Sequence, residues 1–258
     1  ESHFVSMMNE RARQIGCKGT EFVNPNGLDT DGEQTKTTAR DLALISQELL
    51  KHPKILNYTS IWMDSVRNGS FGLANTNKML KLYDGMVGLK TGYTSTAGYC
   101  ISAVAQRDGM RLIAVVLGEP DKQSRNQDIA AMLNYGFAGY AVVPILDKET
   151  LPIVSVELGT RDSISVELSD DTPLLMTKAE AGNVKREIHC TEHAQAPIEK
   201  GDPMGEIVLT GSDGEITRRT LVAAENADRK RTTDIFRELL EYLLMKKRLL
   251  TVRFLTSM

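Results

Sequence analysis

The chain predicts an α+β protein: a mixed helix-and-sheet part, then a small all-β sandwich-like domain, then a basic helical tail. Three observations carry that expectation. Two apolar β-like runs, Tyr99–Ala105 and Arg111–Leu117, flank an Asp108-Gly109 pair and lie between segments of helical period. From about Pro144 the texture changes to short β-like runs separated by Gly, Asp and Pro clusters. The last thirty residues then invert the charge: eight basic against three acidic side chains leave +5, whereas the chain as a whole carries −3 and the preceding 228 residues therefore −8. The expected boundaries are 1–143, 144–228 and 229–258.

Taken in order, Phe4, Met7, Met8, Ala12 and Ile15 recur at helical spacing, and Gly16 stops the helix. Asn24-Pro25-Asn26-Gly27-Leu28 is turn chemistry, since Asn-Pro and Asn-Gly pairs favour the backbone conformations that turns require. Thr38 followed three residues on by Asp41 opens a second helix whose buried face is expected at Leu42, Ile45 and Leu49, with Pro53 closing it. Asp108-Gly109 makes the two apolar runs a hairpin, because both central positions of a type I′ turn need positive φ. Ile129, Met132, Leu133 and Phe137 return to helical period, with Asn126 as expected cap and Gly139 as end. Beyond Pro144, strands are expected at Ile153–Leu158, Ser163–Leu168, Val184–His189, Glu206–Leu209 and Ile216–Val222, the last two joined at Asp213-Gly214. Thr232–Met258 is helical, with Ile235, Leu239, Tyr242 and Leu243 at helical spacing.

Composition narrows the function classes. At 258 residues, 41% hydrophobic and 25% charged, the chain is of soluble globular type. Its charge balance offers no basic field for nucleic acid. Cys17, Cys100 and Cys190 form no CxxC pair and no disulfide framework, and pack as small hydrophobes. No run reaches the roughly 18 apolar residues of a membrane span. Glu1-Ser2-His3 shows no export signal, and the lack of an initiator Met implies residues upstream. His189-Cys190-Thr191-Glu192-His193 matches the HxxEH zinc signature, but that spacing works only on a helix. Val184–His189 alternates like a strand and Pro197 follows closely, so no metal site is assigned and no cofactor is expected. The phosphate signatures GxGxxG and GxxxxGK[ST] are missing as well.

The informative cluster is Gly88-Leu89-Lys90-Thr91-Gly92-Tyr93-Thr94, directly ahead of the hairpin. A lone KTG is a weak signal, and Lys90 could simply be a solvated lysine at a strand end. On an edge strand, however, Lys90 and Thr91 would face a substrate carboxylate, while Gly92, lacking Cβ, would let a peptide lie against the backbone. Around this cluster the chain resembles the low-molecular-mass penicillin-binding proteins that act as serine-type D-alanyl-D-alanine carboxypeptidases. The marks that carry the resemblance are Asn24-Pro25-Asn26-Gly27-Leu28, Thr38-Ala39-Arg40-Asp41-Leu42-Ala43, Asn75-Thr76-Asn77, the KTG segment and Arg125 ahead of Met132-Leu133-Asn134-Tyr135-Gly136-Phe137. Asn183-Val184-Lys185, Ala196-Pro197-Ile198 and Leu221-Val222-Ala223-Ala224-Glu225 are similar to that family's β-rich C-terminal domain.

The resemblance implies a β-lactamase/transpeptidase-like domain over residues 1–143 and removal of the terminal D-alanine from peptidoglycan stem peptides through a serine acyl-enzyme. It implies catalytic Lys90 placing its charge beside the substrate's carboxylate, with Thr91 and Arg125 holding that group, Gly92 admitting the peptide and the Tyr93 backbone N–H donating to the oxyanion. For Arg125 the plain alternative is a surface salt bridge. It further implies β-lactam antibiotics as inhibitors, a place on the outer face of the bacterial cytoplasmic membrane, and a tail lying on that membrane through Leu239, Leu243, Leu250 and Phe254 with Lys246, Lys247, Arg248 and Arg253 toward anionic head groups. A helix packed on the body is the competing expectation for the tail. One departure stands out: no Ser or Thr is followed three residues later by Lys, and no Ser-x-Asn element is recognised in the sequence either. The nucleophile is therefore expected outside this sequence, with the apolar surface that the upstream segment would cover left exposed. The alternative is a non-catalytic penicillin-binding-protein-like module that binds wall peptides or a partner chain.

Overall fold

The computed structural model describes residues 1–28, 34–146 and 151–255, with side chains described to residue 244. The chain divides into two compact units, Glu1–Val142 and Val143–Met258.

The first unit begins with α1 (Ser2–Gln14), which stops at Gly16, a residue with φ of +91°. α2 (Ala39–Leu49) starts where Thr38 Oγ1 accepts the Asp41 N–H at 3.1 Å. α3 (Lys54–Thr59) leads into a short hairpin, β1 (Met63–Val66) and β2 (Phe71–Ala74), and then the single turn α4 (Met79–Leu82). The hairpin and both short helices have no strong period in sequence. The centre of the unit is an antiparallel sheet of β3 (Met86–Thr94), β4 (Gly98–Arg107) and β5 (Met110–Glu119), with β3 at its edge. Asp108 and Gly109 turn the hairpin with φ of 48° and 75°, as the positive-φ argument requires. Period two then sorts the side chains. Ile101, Ala103 and Ala105 face α5 (Lys122–Gly139) and meet Ile129, Leu133 and Phe137, whereas Val104 packs on the other face with Leu50 and Leu89. β6 (Tyr140–Val143) follows α5.

Two helix expectations need correction. On α2 the fully buried positions are Asp41 and Ser46, with Leu50 just beyond the helix, while Leu49 is 38% exposed. Leu49 and Ile45 instead border an open groove of about 440 Å³ against Phe4 and Met8 of α1. The buried face is polar because it has partners: Ser46 bonds the Ser102 hydroxyl of β4 at 2.6 Å. α5 begins a turn earlier than expected, its cap being Asp121, whose Oδ1 accepts the Ser124 N–H at 2.8 Å; Asn126 lies within the helix. Met132 is 47% exposed, because the buried row runs Arg125, Ile129, Leu133, Phe137 at a spacing of four.

Asp41 ties the start of α2 to the segment 18–20. Its carboxylate accepts the Gly19 N–H at 2.7 Å, the Thr20 hydroxyl at 2.8 Å and the Lys18 N–H at 3.3 Å. Burial by itself would raise the Asp41 pKa, yet the donors from Gly19, Thr20 and Lys18 hold it below the ordinary aspartate value. A depressed carboxylate pKa contributes stability above the unfolded value that is lost as pH falls through the folded one. Asp41→Asn is accordingly expected to lower the urea midpoint at neutral pH, and the two unfolding curves should converge below about pH 4. The fluorescence of Trp62, the single tryptophan, reports this unit.

The second unit is built on six strands in the order β10-β12-β13-β8-β7-β11: β7 (Ile153–Glu157), β8 (Ser163–Leu168), β10 (Lys185–Cys190), β11 (His193–Gln195), β12 (Pro203–Gly211) and β13 (Gly214–Ala223). All neighbours are antiparallel except β11 with β7. β9 (Leu174–Thr177) and the single turn α6 (Lys178–Ala181) complete it. Val154, Val156, Ile164 and Val166 alternate inward onto Ala223, and Ile207 and Leu209 close a second cluster on Ile145. The last hairpin turns on Ser212-Asp213, one residue earlier than expected, because Gly211 pairs with Gly214. His189 ends up in β10 and His193 opens β11, so the helical spacing that the HxxEH match requires is not formed. α7 (Thr232–Leu255) follows. Its expected basic side chains Lys246, Lys247, Arg248 and Arg253, with Leu250 and Phe254, lie outside the described residues.

Candidate active site

The edge of β3 is made available by its neighbours. The outward carbonyls of Val87 and Gly88 are taken by the Thr59 hydroxyl at 2.9 Å and the Asn77 side-chain amide at 3.3 Å. Asn77 itself is 1% exposed and bonds the Met79 N–H at 3.1 Å, so this part of the edge is closed and rigid. From Lys90 to Thr94 the strand pairs only with β4 among the described residues. An open strand edge with a glycine in it is a surface on which an extended peptide can pair.

Beside that edge lies a cleft of about 380 Å³, bordered by Lys90, Thr91, Gly92 and Tyr93 of β3, by Arg125 of α5, and by Asn75 and Thr76 ahead of α4. All five residues expected at the site thus line one cleft. Thr91 stands opposite Ile101, whose side chain faces α5, and this register carries the Thr91 hydroxyl to the α5 side. There it meets the Thr76 hydroxyl at 2.7 Å. Lys90 bonds the Thr91 carbonyl and is otherwise exposed. Tyr93 stacks its ring on Tyr99 with centroids 4.3 Å apart.

Arg125 is the unusual member. It is 3% exposed, and its only described partner is the Asn126 side-chain oxygen, at 2.9 and 3.3 Å. No carboxylate lies within 4 Å of it among the described residues, so the alternative of a surface ion pair does not hold. Burial pushes its pKa down, opposed by Cys100 and Tyr99; arginine nonetheless remains a cation. The expectation of no Ser-x-Asn element needs correction: the sequence holds one such triplet, Ser124-Arg125-Asn126, which stands in the first turn of α5. Its serine is turned to the Asp121 carboxylate at 3.1 Å.

Lys78 and Lys122 also line the cleft, as does Thr76 with its bond to Thr91, and the sequence pattern assigns none of the three a role. They come from two separate segments, and only the fold brings these together beside β3.

A KTG edge strand, a three-stranded antiparallel sheet with helices on both faces, and a buried arginine across the cleft define the penicillin-recognising class of folds. The profile of the D-alanyl-D-alanine carboxypeptidase family matches residues 1–121, and that of the penicillin-binding protein 5 C-terminal domain matches residues 141–229. Over these two stretches the chain is similar to the low-molecular-mass penicillin-binding proteins. It is 37% identical to the D-alanyl-D-alanine carboxypeptidase DacF of Bacillus subtilis over 235 residues, covering 89% of this chain and 60% of that protein. With DacA of Escherichia coli K12 it shares 29% identity, covering 86% of this chain and 55% of that one. Penicillin binding protein 5 from Haemophilus influenzae superposes with a TM-score of 0.57 at 28% identity, over 88% of this chain and 66% of the other. The chain thus spans little more than half the length of the curated relatives it matches.

Proposed function

We propose that the cleft is the carboxylate-recognising half of a D-alanyl-D-alanine carboxypeptidase site acting on peptidoglycan stem peptides. The observation that carries this reading is Arg125, a buried cation with no carboxylate of its own beside the Thr91 hydroxyl and the open edge of β3. A buried charge is tolerable when something pairs with it, and a peptide's terminal carboxylate arriving along β3 would do so. The substrate backbone would pair with β3 past Gly92, and Lys90 would lie beside the reacting centre. In the reaction a serine Oγ adds to the carbonyl between the two D-alanines, with the Tyr93 N–H donating to the oxyanion. The C–N bond then breaks, the leaving amine takes a proton, and water hydrolyses the ester. The serine and its lysine are not among these residues in the SxxK spacing, so the proposal assigns them to chain outside this sequence. β-Lactams would enter by the same addition, with ring opening in place of amine departure.

The test is a titration of the isotopically labelled chain with a blocked peptide ending in D-Ala-D-Ala and with its C-terminal amide. The acid should shift Thr91, Gly92 and Arg125 resonances, the amide should bind far more weakly, and Arg125→Ala should weaken the acid about tenfold or more. Equal binding of acid and amide would refute the carboxylate site.

We also propose that the two units act as separate domains meeting near Pro144, and that α7 lies on the outer face of the cytoplasmic membrane. Phe236, Leu239, Leu240 and Leu243 are exposed by 66, 55, 48 and 55%, and their spacing of three and four places them along one side of the helix. No helix among the described residues is long and apolar enough to cross a membrane. An exposed apolar stripe on a helix that carries basic residues suits an interfacial position.

A further inference from the structure

Among the described residues, four cations line the cleft and no Asp or Glu does: Lys78 and Lys122 join Lys90 and Arg125. One terminal carboxylate accounts for Arg125 and its neighbours on β3, and it leaves two lysines over. Neither lysine has a carboxylate within 4 Å among the described residues. Lys78 Nζ lies 4.6 Å from the centre of the Trp62 ring, and Lys122 Nζ 5.9 Å from that of Tyr99. Rings hold an ammonium without neutralising it. The acidic groups nearest in sequence to Lys122 are engaged elsewhere: Asp121 takes the Ser124 N–H and hydroxyl at 2.8 and 3.1 Å. Glu119 has its pKa raised by burial and by the neighbouring Asp128 and Asp121, so it sits among carboxylates.

A second groove shares Lys78 and Lys122 with the cleft. It is open, about 470 Å³ in volume, and runs along α4 and α5, floored by Met79, Leu82 and Tyr83. A ligand whose final residue is a D-alanine would end at Arg125 and use neither the groove nor these two charges.

We propose that Lys78 and Lys122 form an anion subsite at the mouth of this groove, so that the cleft prefers peptides whose carboxylate-bearing final residue carries a second acidic group on its side chain. The inference rests on the carboxylate reading of Arg125 and names a substrate class for that same site. The final residue's own carboxylate occupies Arg125 and Thr91, and its side chain passes between the lysines.

The experiment measures binding of three blocked peptides to the 258-residue chain, ending in D-Ala-D-Ala, D-Ala-D-Glu and D-Ala-D-Gln. The Glu and Gln peptides share shape and differ in one charge. The Glu peptide is expected to bind about threefold more tightly or better than the Gln peptide at low salt, with the ratio falling as salt rises. In Lys78→Gln/Lys122→Gln the ratio should collapse to one; both side chains are exposed, so folding, followed by Trp62 fluorescence, should survive. Equal binding of the Glu and Gln peptides while the D-Ala-D-Ala peptide still binds overturns the subsite and leaves the carboxylate site standing. So does a Glu preference that persists in the double variant. Failure of all three peptides to bind sinks the carboxylate reading itself, and the subsite with it.

Discussion

A fluorescent penicillin is expected to leave the 258-residue chain unlabelled, and no D-alanine should be released from D-alanyl-D-alanine peptides. The acyl-enzyme needs a hydroxyl nucleophile with a lysine in reach to take its proton, and no Ser or Thr here precedes a Lys by three positions. Of the Ser and Thr hydroxyls among the described residues, the two that line the cleft, Thr91 and Thr76, bond each other, and Ser124, next to Arg125 in sequence, bonds Asp121. In a longer protein that joins an SxxK-bearing segment to residues 1–258, labelling and carboxypeptidase activity should both appear. There Lys90→Ala should lower acylation about a hundredfold or more, since it removes a charge beside the reacting centre. Arg125→Ala should act mainly on KM, because that side chain grips a group that does not react. Stoichiometric labelling of the 258-residue chain itself would show that another hydroxyl serves as nucleophile and would overturn this account.

Removing the chain from residue 232 onward should abolish binding to vesicles rich in anionic lipid. Each basic residue near an anionic surface contributes about 1 kcal/mol. Lys246, Lys247, Arg248 and Arg253 together with the apolar stripe should then change the partition constant by a factor on the order of 10² to 10³. Vesicles of neutral lipid should bind the intact chain weakly, and salt should weaken the anionic case. Co-sedimentation of intact and shortened chains to the same extent would return α7 to the competing expectation of a helix packed on the body.

The elements that were legible in the sequence are those whose signal is local. Asp108-Gly109 can adopt positive φ on two successive residues, and the runs on either side are short and apolar, so β4 and β5 could be read directly. Thr38 and Asp41 mark the start of α2 because one hydroxyl satisfies one free N–H. Its buried face was misread because periodicity counts apolar side chains, whereas the sequestered positions Asp41 and Ser46 are polar groups whose partners come from Gly19, Thr20 and Ser102. The start of α5 was placed a turn late, since Lys122 and Gln123 carry no apolar signal and both Asp121 and Asn126 can cap. At the cleft, Lys90, Thr91, Gly92 and Tyr93 are contiguous and could be singled out together. Arg125 came only through resemblance, and its burial was not readable, because a charged side chain is by composition a surface residue. Thr76, Lys78 and Lys122 acquire meaning only from the sheet register and the helix docking that surround them.

Arg125 also bears on how this molecule trades robustness against readiness. A guanidinium that is 3% exposed and served by one amide oxygen is a sub-optimal choice for the empty fold. A hydrophobe of similar length would fit there with less strain on the unoccupied state. On the proposed carboxylate role, the arginine costs the resting protein stability that an arriving anion would return, so occupancy and folding would be thermodynamically linked. Selection for a hardier unliganded chain and selection for an attentive cleft therefore pull this one position in opposite directions.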